Sequence, residues 1–312
     1  TIGTAFVLVL SVIATAQASE RIQWTFDHPS DLIGKVHLEP GHVANGCLSG
    51  QTSWDPYVSL RVPAETIDAE KLTWLAVRMY SSDKADVLDV YYESPDHRWC
   101  LGGKLPVVKG WATYRLDLTK NHWRETRTGD VSKQWGGPSK RVCSLRIDPG
   151  NQADRWVALD HVTLQAAEPG LEEGVTSEPR GTARMLDLEL PESVEAGRRI
   201  SLSARFHVAV PAGLARGTAF IRLCRGNTIL RLVEQPVTFS GDRLEVPAEL
   251  PISAYWYPGP ATVECGVYEL DIMAESDPPR RELQITSGRV GAVQPPVVEL
   301  RRQGGDPAIF VD

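Results

Sequence analysis

A chain of 312 residues is long for one β-sandwich and suits two domains. Its 42% hydrophobic and 23% charged residues match a globular protein with a packed core and exclude a disordered or fibrous chain. A formal net charge of −7, with basic residues paired only as in Arg198-Arg199 and Arg280-Arg281, argues against nucleic acid as a partner, because polyanions reward basic stripes.

From the N-terminus, Ile2 to Ala16 is almost wholly apolar and Ala16-Gln17-Ala18 supplies a small-x-small cleavage pattern. Residues 1–18 therefore read as part of a signal peptide, too short for a membrane span, and predict a secreted, periplasmic or cell-surface protein. Export permits disulfides, yet five cysteines leave one unpaired. Strand parity sends Cys265 inward and Cys224 outward, which disfavours a bridge between them. Cys47, Cys100 and Cys143 leave one pair open.

Residues 19–167 alternate apolar and polar side chains in short runs: Ile22, Trp24 and Phe26; Val58, Leu60 and Val62; Leu88, Val90 and Tyr92; Tyr114, Leu116 and Leu118. Leu72 to Tyr80 is apolar on both parities and reads as a central strand, followed by Cys143, Leu145 and Ile147 and by Val157 to Leu164. Period-2 runs separated by Gly, Pro, Asp and Asn turns predict an antiparallel sandwich, and about eight strands suit a jelly roll. A short turn near Ala64 to Lys71 is the one helix candidate. The run Asp148-Pro149-Gly150-Asn151 reads as a turn without a ligand role.

Residues 168–182, rich in Gly, Pro and Glu, read as a linker, and eight of the nine tryptophans precede it. From 183 to 295 the alternation is cleanest: Ile200, Leu202, Ala204, Phe206 and Val208 share one parity, Ser201, Ser203, Arg205 and His207 the other. About seven strands predict an immunoglobulin-like sandwich. The fold class expected is thus all-β, two antiparallel sandwiches, the jelly roll first. After Pro295-Pro296, residues 296–312 read as a hairpin, Val297 to Arg302 and Ala308 to Asp312 about a Gly304–Pro307 turn, which needs a further element to pack against.

The string VELRRQGGDPAIFVD in that hairpin resembles the one that opens the catalytic part of β-galactosidase-like (β/α)8-barrel glycoside hydrolases. Trp135 to Leu164 is similar to the last strands of carbohydrate-binding-module-like jelly rolls, and Glu189 to Val208 to the start of an immunoglobulin-like spacer. The resemblance implies the non-catalytic N-terminal region of a secreted, monomeric glycoside hydrolase, its jelly roll binding a polysaccharide or oligosaccharide. Rival readings are a structural or adhesive surface protein without glycan binding, and a jelly-roll polysaccharide lyase with His122 beside Trp123. No GxSxG, HExxH, SxxK or phosphate-cradling Gly loop is present, so no catalytic residue is assigned.

Sugars pack their C–H faces on exposed aromatic rings while polar groups catch hydroxyls. Trp24 and Trp74 lie in apolar runs and read as core, as does Trp111 by default. Trp54, Trp99, Trp123 and Trp135 lie in polar, loop-like surroundings and are the platform candidates, with Asp96 and Arg98 as polar partners. The resemblance further implies a structural Ca2+, with Asp27 in WTFD and Asp160 in VALDHVTL at the positions of a first-strand and a final-strand carboxylate.

Overall fold

The computed structural model describes residues 20–44, 46–62, 66–120, 122–226, 228–273, 280–287, 298–303 and 306–311. The signal-peptide reading of residues 1–18 lies outside them. The chain divides into two compact units, Thr1–Thr176 and Ser177–Asp312.

In the first unit the strands are β1 (Arg21–Trp24), β2 (Leu32–Ala44), β3 (Cys47–Leu60), β4 (Ile67–Asp68), β5 (Trp74–Ser81), β6 (Ala85–Glu93), β7 (Cys100–Val107), β8 (Gly110–Asp117), β9 (Arg124–Glu125), β10 (Arg141–Val142), β11 (Ser144–Asp148), β12 (Trp156–Gln165) and β13 (Gly174–Ser177). Eleven of them join one sheet along the path β13-β8-β5-β12-β3-β11-β6-β7-β9, with β1 on β12 and β2 on β3. Strand β3 is the hinge of this path. Its first half pairs with β12 through Leu48 to Gln51, and its second half with β11 through Val58 to Leu60. Between them the chain turns at Asp55, whose φ of 48° is a left-handed conformation an aspartate tolerates. The two halves of the path therefore close on a common core that includes Leu75, Val77, Tyr114 and Leu164 from one half and Val58, Val90, Tyr92 and Ile147 from the other.

Alternation delivers these residues inward, as the sequence predicts, because successive side chains leave a strand on opposite faces. The helix candidate near Ala64 to Lys71 is corrected: among the described residues Ile67–Asp68 pairs antiparallel with β10 and a turn follows, while the one helical piece is a three-residue 3-10 turn at Pro29–Asp31. The stretch read as linker contributes β13 to the edge of this sheet beside β8.

In the second unit the strands are β14 (Gly181–Glu189), β15 (Ser193–Glu195), β16 (Arg199–Ala209), β17 (Arg216–Arg225), β18 (Thr228–Thr238), β19 (Arg243–Pro251), β20 (Gly259–Val267), β21 (Leu270–Ile272), β22 (Arg280–Thr286), β23 (Val298–Gln303) and β24 (Asp306–Val311). Two sheets, β19-β16-β14-β21 and β15-β22-β20-β17-β18, share a core of Ile200, Leu202, Phe206, Ile221, Val263 and Leu283. Pairing is antiparallel except for the short parallel contacts β14 with β21 and β15 with β22. Strands β23 and β24 form an antiparallel hairpin.

All five cysteines are free thiols, so the pair left open among Cys47, Cys100 and Cys143 is not formed. Cys265 is inward as parity requires. Cys224 shares the parity of Arg222 but is nonetheless buried, and burial first, then Glu264, pushes its thiol up to about 12, which keeps it protonated and inert.

Candidate functional site

The tryptophans proposed as platforms separate into two groups. Trp123 and Trp135 are corrected to core: their rings lie 5.5 Å apart, each packs edge-on against Tyr92, and their indole N–H groups donate to the backbone carbonyls of Leu118 and Leu72 at 2.9 Å. A loop-like sequence context misled the reading because each tryptophan caps the sandwich from a loop. Gly102 accommodates Trp123, since a Cβ there would sit 2.6 Å from the indole. Trp54 is 69% exposed and packs against His37 with ring centroids 4.2 Å apart and planes tilted by 41°. Trp99 is half-buried with a φ of 33°, just before β7. Asp96 clamps two loops through Ser139, whose hydroxyl first and backbone N–H, at 2.8 Å, second hold its carboxyl below the usual range, and Arg98 is exposed. The structure does not gather these six residues into one place.

Asp27 and Asp160, the carboxylates named for calcium, are each engaged within the protein. Asp160 accepts from His161 Nδ1 at 2.7 Å and pairs with Arg78 at 3.1 Å, so its oxygens already face positive groups. Asp27 accepts the Thr25 hydroxyl at 2.5 Å. Among the described residues no cluster of three or more His, Cys, Asp or Glu could hold a metal.

What the fold does assemble is the outward face of β3, β11, β6 and β7. Register places Arg146 beside Ser59 and Tyr91, and Asp148 beside Asp89. The Arg146 guanidinium lies 3.8 Å from the centre of the Tyr57 ring and 4.6 Å from that of Tyr91. It donates to both oxygens of Asp148 at 2.6 Å and reaches Asp55 at 3.4 Å. This fork-to-carboxylate geometry, stacked between aromatic rings, is one that arginine makes and lysine does not.

Although it faces outward, Asp148 is only 1% exposed and Asp89 only 4%. Burial pushes Asp148 up to about 7 against the pull of Arg146, and the neighbouring carboxylates of Asp55 and Asp89 add to the rise. Burial also raises Asp89, opposed by Lys104, Arg146 and Arg124. Asp89 Oδ1 is buried with no hydrogen-bond partner; the Lys104 ammonium stands 3.8 Å away. Beyond it, Lys104, His122 and Arg124 border a shallow groove of about 340 Å³ floored by Gly102 and Gly103. The φ of 60° at Gly103 marks a backbone turn that a side chain would strain.

Sequence reading missed this face. Arg146 and Asp148 share the parity opposite Leu145 and Ile147, and Asp89 and Tyr91 that opposite Leu88 and Val90. Polar residues at consecutive outward positions, Arg146 and Asp148 on one strand and Asp89 and Tyr91 on another, are the available signal, but strand order, which brings β11 between β3 and β6, is not written locally.

No family model matches the sequence, and no curated protein matches it. Solved structures do. A CARDB domain from Pyrococcus furiosus is 10% identical over 35% of this chain and 96% of its own, with a TM-score of 0.27. A glycosyl hydrolase family 2 member from Bacteroides cellulosilyticus is 13% identical over 75% of this chain and 29% of its own, TM-score 0.21. A β-glucuronidase from Bacteroides uniformis is 10% identical over 94% of this chain and 34% of its own, TM-score 0.23. The chain thus spans about a third of the length of each hydrolase. No helix among the described residues is long and apolar enough to cross a membrane.

Proposed function

We propose that the first unit binds a carbohydrate chain on the outward face of β3, β11, β6 and β7, as the non-catalytic part of a secreted glycoside hydrolase. The observation that carries the binding reading is the buried Asp89 Oδ1, which accepts no hydrogen bond and has only the Lys104 ammonium at 3.8 Å, beside the Tyr57–Arg146–Tyr91 stack. A buried acceptor without a donor is costly, and a sugar hydroxyl is a donor of the right size to satisfy it. The Lys104 side chain that faces it is 56% exposed. At a strand spacing of about 4.8 Å, the four strands span roughly 15 Å, enough for a few pyranose rings. Exposed Trp54, next to Asp55, extends the aromatic surface at the edge of this face.

The hydrolase parentage rests on the resemblance of the C-terminal hairpin and is tested by reading the coding DNA past Asp312, where alternating strands and helices are expected. Binding is tested by affinity electrophoresis through gels containing soluble polysaccharides. The intact chain is retarded by at least one; Tyr91→Ala and Trp54→Ala lose that retardation, and Trp54→Ala does so while keeping the wild-type melting temperature. A chain that migrates identically with and without every polysaccharide is not a glycan binder, and the adhesive reading then takes precedence.

A further inference from the structure

The opposite half of the sheet carries a second hollow. Register aligns Thr163 of β12, Ala76 of β5 and Arg115 of β8 in one row, and His161, Arg78 and Thr113 in the next. Arg21 enters from β1, opposite Gln165. Ala76 is the short residue in a field of long ones, and around it opens a hollow of about 280 Å³. Its polar lining is Arg21, Thr113, Arg115, His161, Thr163 and Gln165, with no carboxylate. Trp74 and Leu171 supply apolar walls.

Unlike Arg146 on the other face, Arg21 and Arg115 meet no carboxylate among the described residues. Arg21 donates to Gln23 at 2.8 Å and to Thr163 at 3.4 Å, and Arg115 to Thr176 at 3.0 Å, all neutral oxygens. The nearest acid of the row, Asp117, is engaged by Lys120 at 3.0 Å and by Thr119. A bulge between Leu159 and His161 lets Asp160 sit alongside His161 and take its Nδ1 proton in a hydrogen bond, which fixes the ring and leaves Nε2 for the hollow. Arg78, pairing with Asp160 and stacked 4.3 Å over Trp111, buttresses the same side.

We propose that this hollow binds the anionic group of an acidic sugar, a carboxylate or sulfate on a single pyranose. Two guanidinium groups supply the charge-assisted donors such an oxyanion needs, Thr113, Thr163, Gln165 and the His161 Nε2 meet ring hydroxyls, and Trp74 offers an apolar wall. The volume suits one sugar unit rather than a chain. The site is independent of the face proposed for polysaccharide binding, so each can fail alone.

Titration calorimetry of the full chain tests it with four probes: glucuronate, glucose 6-sulfate, glucose and inorganic sulfate. At least one acidic sugar is expected to bind in the millimolar range and glucose at least tenfold more weakly. Arg115→Gln and Ala76→Leu, the first removing charge and the second filling the floor, should each weaken binding of that acidic sugar at least tenfold with an unchanged melting temperature. Tyr91→Ala should leave it intact. The carboxylate and sulfate arms decide which oxyanion is preferred. Equal binding of glucose, inorganic sulfate binding as tightly as the acidic sugars, absence of heat with both acidic sugars, or wild-type affinity in Ala76→Leu would each overturn the proposal.

Discussion

Two outward sheet faces, one from each unit, handle charge in opposite ways. On β14 and β16 of the second unit Arg205 pairs with Asp187 at 2.8 Å and Glu189 at 2.5 Å, and all three are exposed. On β11 and β6 of the first unit Arg146 and Asp148 form an equally close pair, but it is covered by Tyr57 and Tyr91 and its carboxylate is sealed from water. The exposed pairs are what a solvated sheet face carries at little energetic consequence. Burying a carboxylate costs several kcal/mol before pairing returns any of it, so a face that keeps such groups is doing more than staying soluble. The contrast holds between these two faces; on β17 and β20 the second unit also buries a charge pair, Arg222–Glu264 at 3.4 Å, over the Phe220 ring.

The largest effect that would break this comparison is expected from Arg146→Ala. Removing one partner of a buried pair leaves Asp148 uncompensated and should destabilise the first unit by about 3–5 kcal/mol at neutral pH. Chemical denaturation followed by tryptophan fluorescence reads it, since eight of nine tryptophans lie between Trp24 and Trp156. A loss below about 1 kcal/mol, the range of an exposed pair, would erase the distinction between the two faces.

Next in size is Gly102→Ala, which probes the core beneath the same face. The added methyl meets the Trp123 indole at 2.6 Å, and Trp123 is fully buried with its N–H bonded to Leu118. Overpacking of this kind costs about 1–3 kcal/mol. Wild-type stability would mean that Trp123 is free to move outward, restoring it as a platform.

The sequence made the scaffold legible and hid the face. Strict alternation from Ile200 to Val208 is a local signal, and the structure places those five side chains inward. Trp123 and Trp135 were misassigned because polar neighbours such as Arg124 and Gln134 say where the backbone is and nothing of where a large ring turns. Asp148 reads as part of a turn from its Pro-Gly sequel, yet it is the last residue of β11, opposite Asp89, and Pro149 and Gly150 follow it as irregular chain. Apart from Arg146 on its own strand, its neighbours Asp55 and Asp89 come from β3 and β6, so only strand order reveals the cluster. Asp160 was noticed, but its bulge and its tie to His161 depend on pairing with β5 that no short window contains.

A third expected effect concerns pH. Because burial raises Asp148 to about 7 from an ordinary 3.8, its contribution to stability is fully present below about pH 4 and is lost as pH rises through 7. Asp89 and Glu93, also raised by burial, act with the same sign. Unfolding free energy of the wild type should therefore carry a falling component between pH 4 and 7 that Asp148→Asn diminishes. An unchanged slope in that variant would show that Arg146 keeps Asp148 ionised throughout.

The smallest effect is the control that gives the first its meaning. Arg205→Ala removes a guanidinium with two carboxylate partners, more than Arg146 has at hydrogen-bonding distance below 3 Å, yet water reaches every group it leaves behind. The melting temperature of the second unit should stay within measurement error at 0.15 M salt, where the screening length is about 8 Å. A drop as large as that of Arg146→Ala would mean that the number of partners, and not their exclusion from water, sets the energy of these pairs. The argument that singles out the Arg146 face as functional would then fail, because it depends on burial being what makes charge expensive.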